Sequence, residues 1–438
     1  MIIERKQYIE ALLSKRWNGR VKIITGIRRC GKSFLLSTLY KNYLLGEGVG
    51  EDCIIEVALD RKSDLKYRNP NLLYDHIVNA ANDSSKRYYV FIDEIQMSVK
   101  VKNQDINEND VSGDDKEMLY ITFYDILNDL MAQKNLDIYV TGSNSKMLSS
   151  DIVTNFRDRG SEIMVYPLSF KEYYDASGLE KSDAFEEYLT YGGMPTAVLE
   201  SKQSERQQYL YHLHQNVYAK DIIERYKIRD DEILDALIDS LYSAVGSLTN
   251  THNLANAAST LMRRSTSDHT IKNYIDYLED AYLFVCAKRY DIKGKKYFNN
   301  TQKYYAIDLG LRNAKLNFRQ QDKSHLMENL IFIELIRRGY RVDVGVVELN
   351  REIAGKRTVS RYEIDFVVNT GHDKIYIQSA LNVDTDEKKK QETFSLKKSG
   401  DFFRKVVILD GNTKPWTDDD GIMYIGVIPF LLDETIFA

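Results

Sequence analysis

GIRRCGKS, Gly26 to Ser33, follows the apolar run VKIIT, Val21 to Thr25, and leads directly into FLLSTLY. Its spacing, G-x-x-x-x-G-K-S, is that of a loop built to hold phosphate. Glycines let successive backbone N–H groups turn toward an anion, the lysine brings a positive charge to the outer phosphates, and the serine hydroxyl ligates a metal ion. A strand before the loop and a helix after it put a helix N-terminus behind the anion. Gly26, Ile27, Arg28, Arg29, Cys30, Gly31, Lys32, Ser33 and Phe34 are therefore the candidate nucleotide-binding residues. The plain alternative is a glycine-rich turn with a stray lysine.

Cys53 to Leu59, Tyr88 to Ile92 and Leu136 to Thr141 are further short apolar or β-branched runs, separated by helix-like segments such as Ser33 to Leu44 and Leu72 to Ala81. That alternation predicts a parallel sheet with crossover helices. A phosphate loop also calls for an acidic group at the end of another strand, which YYVFIDEIQ supplies. Asp93 is placed to hold magnesium with Ser33, and Glu94 to take a proton from the attacking water. The next strand, DIYVTGSNSKML, ends in Ser143 and Asn144, which suit either water orientation or the cap of a helix starting at Lys146. The polar stretch Ser98 to Glu117 reads as an inserted surface loop.

The 438 residues exceed one typical domain of roughly 100 to 200 residues, so several domains are expected. With 43% hydrophobic and 29% charged residues and a net charge of -5, the chain reads as globular. It is not basic enough overall to announce a nucleic-acid binder. Cys30, Cys53 and Cys286 are too far apart for a disulfide framework or a paired-cysteine metal site, which points to a reducing, cytoplasmic setting. No stretch approaches the roughly 20 apolar residues of a membrane helix, so no membrane partner is expected.

Several stretches together, the phosphate loop, VFIDEIQ, VTGSNSKML, RDRG, VYPLSFKEYY, YLTYGGMP and YAKDIIERY, resemble the prokaryotic AAA-type P-loop ATPases that carry a C-terminal domain of unknown function. The resemblance spans nearly the whole chain. It implies ATP as the nucleotide and an α/β fold: a P-loop AAA-like parallel-sheet core over residues 1–175, a helical lid or connector over 176–235, a winged-helix domain over 236–319 and a restriction-endonuclease-like α/β domain over 320–438. It also implies Asn144 at the γ-phosphate sensor position and Arg159 as an arginine approaching the γ-phosphate, in cis or from a neighbouring subunit of an oligomer. Arg157 competes with Arg159, and pairing with Asp158 or Glu162 is the plain alternative for either.

Between Glu232 and Ala281 three helical patterns precede a hairpin turning at Lys293-Gly294, the outline of a winged helix. Lys288, Arg289, Lys293, Lys295 and Lys296, with Tyr290, Tyr297 and Phe298 among them, are candidate DNA contacts; a solvated charged face or a protein-contact surface is the alternative. Asp276, Glu279 and Asp280 argue against the preceding helix as a groove reader. In the last domain Glu328, Asp365 and Gln378 fall where a nuclease-like fold places its metal and catalytic groups. Gln378 replaces a carboxylate and Ala380 the expected lysine, so a degenerate site without cleavage is expected. His212 and His214, two apart on a helix, do not make a metal pair. The resulting expectation is a magnesium-dependent ATPase whose nucleotide state controls a binding module. The alternatives are a slowly hydrolysing switch for a protein partner and an ATP-dependent nuclease.

Overall fold

The computed structural model describes residues 2–142, 160–215, 220–262, 266–319, 322–353, 356–371 and 373–437. The chain divides into two compact units, Met1–Tyr166 and Pro167–Ala438.

In the first unit five strands, β1 (Val21–Thr25), β2 (Ile54–Ala58), β3 (Tyr88–Asp93), β6 (Leu136–Thr141) and β7 (Gly160–Met164), form a parallel sheet in the order β2-β3-β6-β1-β7. Every residue of β1 and β6 is buried, as expected for strands covered on both faces. This explains why they read as mainly apolar runs rather than alternating ones, with Lys22 and Asp137 buried as a pair. The helix after the phosphate loop is α-helical over Lys32–Phe34, π-helical over Leu35–Tyr40 and α-helical again over Lys41–Gly46. Tyr40 at the end of the π segment shares a hydrogen bond of 2.9 Å with the Tyr139 hydroxyl of β6. Tyr139 donates to Asp137, which also pairs with Lys22 of β1. A buried polar chain thus ties the loop's own strand to its helix. The stretch expected as an irregular surface loop carries a short antiparallel ribbon, β4 (Val101–Lys102) with β5 (Tyr120–Ile121), and 3₁₀ turns between them.

The second unit contains an eight-stranded sheet in the order β14-β15-β13-β12-β11-β10-β8-β9. Its strands are β8 (Phe284–Asp291), β9 (Lys296–Ala306), β10 (Arg341–Ile353), β11 (Lys356–Asn369), β12 (Lys374–Ala380), β13 (Arg404–Leu409), β14 (Trp416–Thr417) and β15 (Ile422–Gly426). β8 pairs in parallel with β10 through Arg289, Tyr290 and Asp291. The hairpin expected as the wing of a separate domain is therefore hydrogen-bonded into the terminal sheet. The helices Asp231–Ser243, Thr251–Met262 and Asp268–Asp280 precede it in the predicted order.

YGGMP has a packing explanation. A Cβ on Gly193 would lie 2.1 Å from the Leu168 carbonyl oxygen, and one on Gly192 2.4 Å from the Asp308 carboxylate. Gly192 also adopts φ +66, a region that favours glycine. Asp308 accepts from the backbone N–H groups of Gly193 at 2.7 Å and Leu311 at 3.0 Å. The turn is thus clamped to the start of helix Leu309–Lys315.

Candidate functional site

β1 delivers the chain into the phosphate loop, and the loop's conformation depends on its glycines. Gly26 has φ +132, and a Cβ there would lie 2.1 Å from the Val165 carbonyl oxygen beyond β7; Gly31 has φ +99. Ile27 and Cys30 point inward and are buried, while Arg28 and Arg29 face solvent and Phe34 is largely exposed. Cys30 donates its thiol to the Val165 carbonyl at 3.2 Å, so it anchors the loop rather than offering a reactive sulfur. Lys32 is only 5% exposed, and its ammonium donates to the carbonyls of Gly26 at 2.9 Å and Ile27 at 3.0 Å. The charge lies along the loop backbone.

Ser33 lies in the first turn of the following helix, and its hydroxyl donates to Asp93 Oδ1 at 3.0 Å. The two predicted metal-holding residues, from the first and third strand regions, thus meet side by side. Thr141, the last residue of β6, donates its hydroxyl to the same Asp93 oxygen and accepts from the Glu94 backbone N–H at 3.1 Å. Thr141 orients both acidic residues, a role not expected from the sequence, where Ser143 and Asn144 beyond the strand were the polar candidates. The available signal was a hydroxyl residue closing the strand-like run LDIYV. Glu94 sits at φ +53, and its carboxylate accepts from the Gln96 side-chain amide. Asn144, Arg159, and their competitors Ser143 and Arg157 lie outside the described residues.

In the second unit Glu328, Asp365 and Gln378 come from helix Lys323–Arg337, β11 and β12. The expectation that the cation is missing here is corrected: Lys303 of β9, just 3% exposed, sits among the acids. Its ammonium lies 2.9 Å from Glu328, 2.6 Å from Glu363 and 4.0 Å from Asp365. Lys303 meets these acids although β9 is not a neighbour of β11 in the sheet and Glu328 comes from a helix, a juxtaposition made by the tertiary fold. Glu328 also accepts from the Tyr305 hydroxyl at 2.7 Å, and Asp365 from the Ser379 N–H at 2.8 Å. Burial, then the Glu328 charge, hold the Asp365 carboxyl well above the usual carboxylate range, against the pull of Lys303. Lys303 stays cationic, since the three acids outweigh the burial that would lower its pKa. Among the described residues no group of three or more His, Cys, Asp and Glu is arranged to hold a metal ion.

The hairpin cations differ in access. Lys288, Lys293, Lys295 and Lys296 are exposed, while Arg289 is half-buried and donates to the Thr301 hydroxyl at 2.7 Å. Of the three acids that argued against the preceding helix, Glu279 accepts from the Cys286 backbone at 3.1 Å and Asp280 from the Tyr226 hydroxyl at 3.1 Å. Burial raises Glu279 to about 7, so it presents less negative charge than its sequence position suggests. His214 is buried and burial lowers its pKa to about 3, which keeps it neutral.

A family model described as an AAA domain matches residues 18–174, and one described as a domain of unknown function (DUF8612) matches residues 182–322. An uncharacterized protein of Haemophilus influenzae is 32% identical over 436 residues, covering 98% of this chain and 99% of its own. An uncharacterized protein of Methanocaldococcus jannaschii is 26% identical over 436 residues, covering 94% and 87%. Among solved structures, the Aeropyrum pernix ORC1 protein in complex with DNA overlaps 72% of this chain and 93% of its own at 13% identity and a TM-score of 0.28. Caenorhabditis elegans PCH-2 overlaps 41% and 44% at 17% identity and a TM-score of 0.25. Overlays this loose carry no argument about function. No helix among the described residues is long and apolar enough to cross a membrane.

Proposed function

The chain belongs to the family of prokaryotic AAA-type P-loop ATPases that carry a domain of unknown function, and from that premise we propose that it is a magnesium-dependent ATPase whose nucleotide state controls a nucleic-acid-binding module in its second unit. The observation that carries this reading is the 3.0 Å contact of the Ser33 hydroxyl with the Asp93 carboxylate, sixty residues apart in sequence. Two hard oxygen donors at the mouth of a phosphate loop suit magnesium, which when bound there neutralises phosphate charge. Lys32 would exchange the Gly26 and Ile27 carbonyls for β- and γ-phosphate oxygens. Glu94 is the general base, and Thr141 positions it through its backbone N–H.

Asn144 and Arg159 complete the reading as sensor and arginine finger, the latter acting within one subunit or across an oligomer interface. The winged-helix reading of residues 236–319 rests on the three helices and the hairpin, whose exposed lysines would meet phosphates of DNA. Three free cysteines support a cytoplasmic setting. The terminal site is read as a non-cleaving one, because Lys303 fills the centre of the acids and Gln378 brings no charge.

A second reading, a slowly hydrolysing switch for a protein partner, draws on Gln96, whose amide occupies the Glu94 carboxylate. The test is magnesium-dependent ATP hydrolysis by the parent and by Glu94→Gln, each with and without duplex and single-stranded DNA. DNA-stimulated turnover lost in the variant supports the engine. Tight ATP binding without turnover in every condition supports the switch, and absence of ATP binding overturns both.

A further inference from the structure

Between the hairpin and β10 lies an open groove of about 820 Å³ whose lining includes Lys288, Tyr290, Tyr297, Phe298, Arg341 and Asp343. Its size is within the roughly 300–1,000 Å³ typical of ligand sites. The groove combines aromatic faces with cations. Tyr297 is 52% exposed although it is a large aromatic residue, so its ring contributes little to the core. Its hydroxyl is nevertheless fixed, donating to Asp343 Oδ2 at 3.1 Å. The Tyr290 ring stands 5.3 Å from that of Tyr297, with the Lys374 ammonium 5.1 Å from the Tyr290 centroid. Phe298 is flanked by the guanidinium groups of Arg289 at 5.4 Å and Arg361 at 5.5 Å. Lys288 and Arg341 are both exposed.

A positively charged groove with a rigidly held, exposed aromatic ring matches the chemistry of an unpaired nucleotide: a base offers a π-face and the adjoining phosphates offer charge. A duplex can satisfy only the second half, because its base faces are stacked on one another. Asp343 is the one acid of the groove among the residues just named. It is committed to Tyr297 and, at 3.4 Å, to Asn369, so it fixes the ring in place.

We infer that this groove is a binding site for single-stranded polynucleotide, with a base stacked on Tyr297 and the flanking phosphates at Lys288 and Arg341. This rests on the reading that the second unit contacts nucleic acid, and narrows it to the unpaired form.

The experiment is fluorescence anisotropy of the full chain with labelled oligothymidylate, oligouridylate and a duplex of the same length, each titrated with salt. Single strands bind more tightly than the duplex, and the tighter of the two identifies the polymer as DNA or RNA. Tyr297→Ala weakens single-strand binding by about five- to 150-fold, the equivalent of one lost base stack, with the salt slope unchanged. Tyr297→Trp retains binding. Lys288→Ala and Arg341→Ala each reduce the slope by about 0.7. Because Tyr297 and both cations are exposed, the fold does not depend on them. Equal binding of duplex and single strand, untouched by Tyr297→Ala, overturns the inference and leaves nucleic-acid contact standing. No binding of any of the three overturns both.

Discussion

Replacing Lys303 by methionine removes the buried ammonium that lies among Glu328, Glu363 and Asp365 while keeping a side chain of similar length. Two of the acids lie within 2.9 Å of the ammonium, and the lysine is 3% exposed. Removing one partner of a buried ion pair typically costs about 3–5 kcal/mol, because the remaining charge has lost both its partner and its water. Glu363, with its side chain 31% exposed, recovers some hydration, so the deeper Glu328 and Asp365 account for most of the loss. Against a total stability of about 5–15 kcal/mol, that is severe.

The loss depends on pH with a definite sign. Asp365 already has a raised folded pKa, and without the ammonium it rises further. A carboxyl with a raised folded pKa contributes stability that is full below its unfolded value and is lost as pH rises through the folded one. The deficit of Lys303→Met relative to the parent is therefore larger at neutral than at mildly acidic pH. Trp416 lies in the same unit, stacked 4.2 Å from Tyr424, whereas Trp17 lies in the other. Urea unfolding followed by Trp416 fluorescence in a Trp17→Phe background reads the unit that matters. A deficit below about 1 kcal/mol, the value of an exposed pair, or one that does not change with pH, would show that Lys303 is not a buried counter-charge to these acids.

Three further outcomes are expected. Gln96→Ala frees the Glu94 carboxylate and raises basal ATP turnover, whereas Glu94→Gln lowers it by about 10²- to 10⁴-fold with ATP binding kept; steady-state phosphate release and nucleotide titration check both. Gly26→Ala, which would set a Cβ 2.1 Å from the Val165 carbonyl at a φ of +132, distorts the loop and abolishes nucleotide binding, measured by titration with a fluorescent ATP analogue. Burial raises Asp308 to about 6 despite its backbone hydrogen bonds. Its contribution is thus full below the unfolded value and falls by about 3 kcal/mol as pH rises through 6. Asp308→Asn removes that slope from the stability profile measured by urea unfolding.

The nucleotide loop was legible because its determinants are local. Eight consecutive residues between an apolar strand and a helix carry the glycines, the lysine and the hydroxyl, and neither their spacing nor their chemistry needs a distant partner. The place of Asp93 at the end of β3 was legible for the same reason, as the first acid after five strand residues, and so were the helices before the hairpin, whose apolar periodicity survives in any context. Tertiary structure alone decided what meets across the fold. Thr141 became the residue that orients Asp93 and Glu94 only when β6 came to lie beside β3. Gly192 and Gly193 read as a turn in sequence, yet close approach of Leu168 and Asp308 is what excludes a side chain there. The basic hairpin looked like one continuous charged surface. Strand pairing separated it into a groove with an exposed ring and a buried Lys303 that neutralises acids 25 and more residues away in sequence. Which face of a strand points inward, and which distant charge it meets, follows from register and side-chain reach, and neither can be read from a composition.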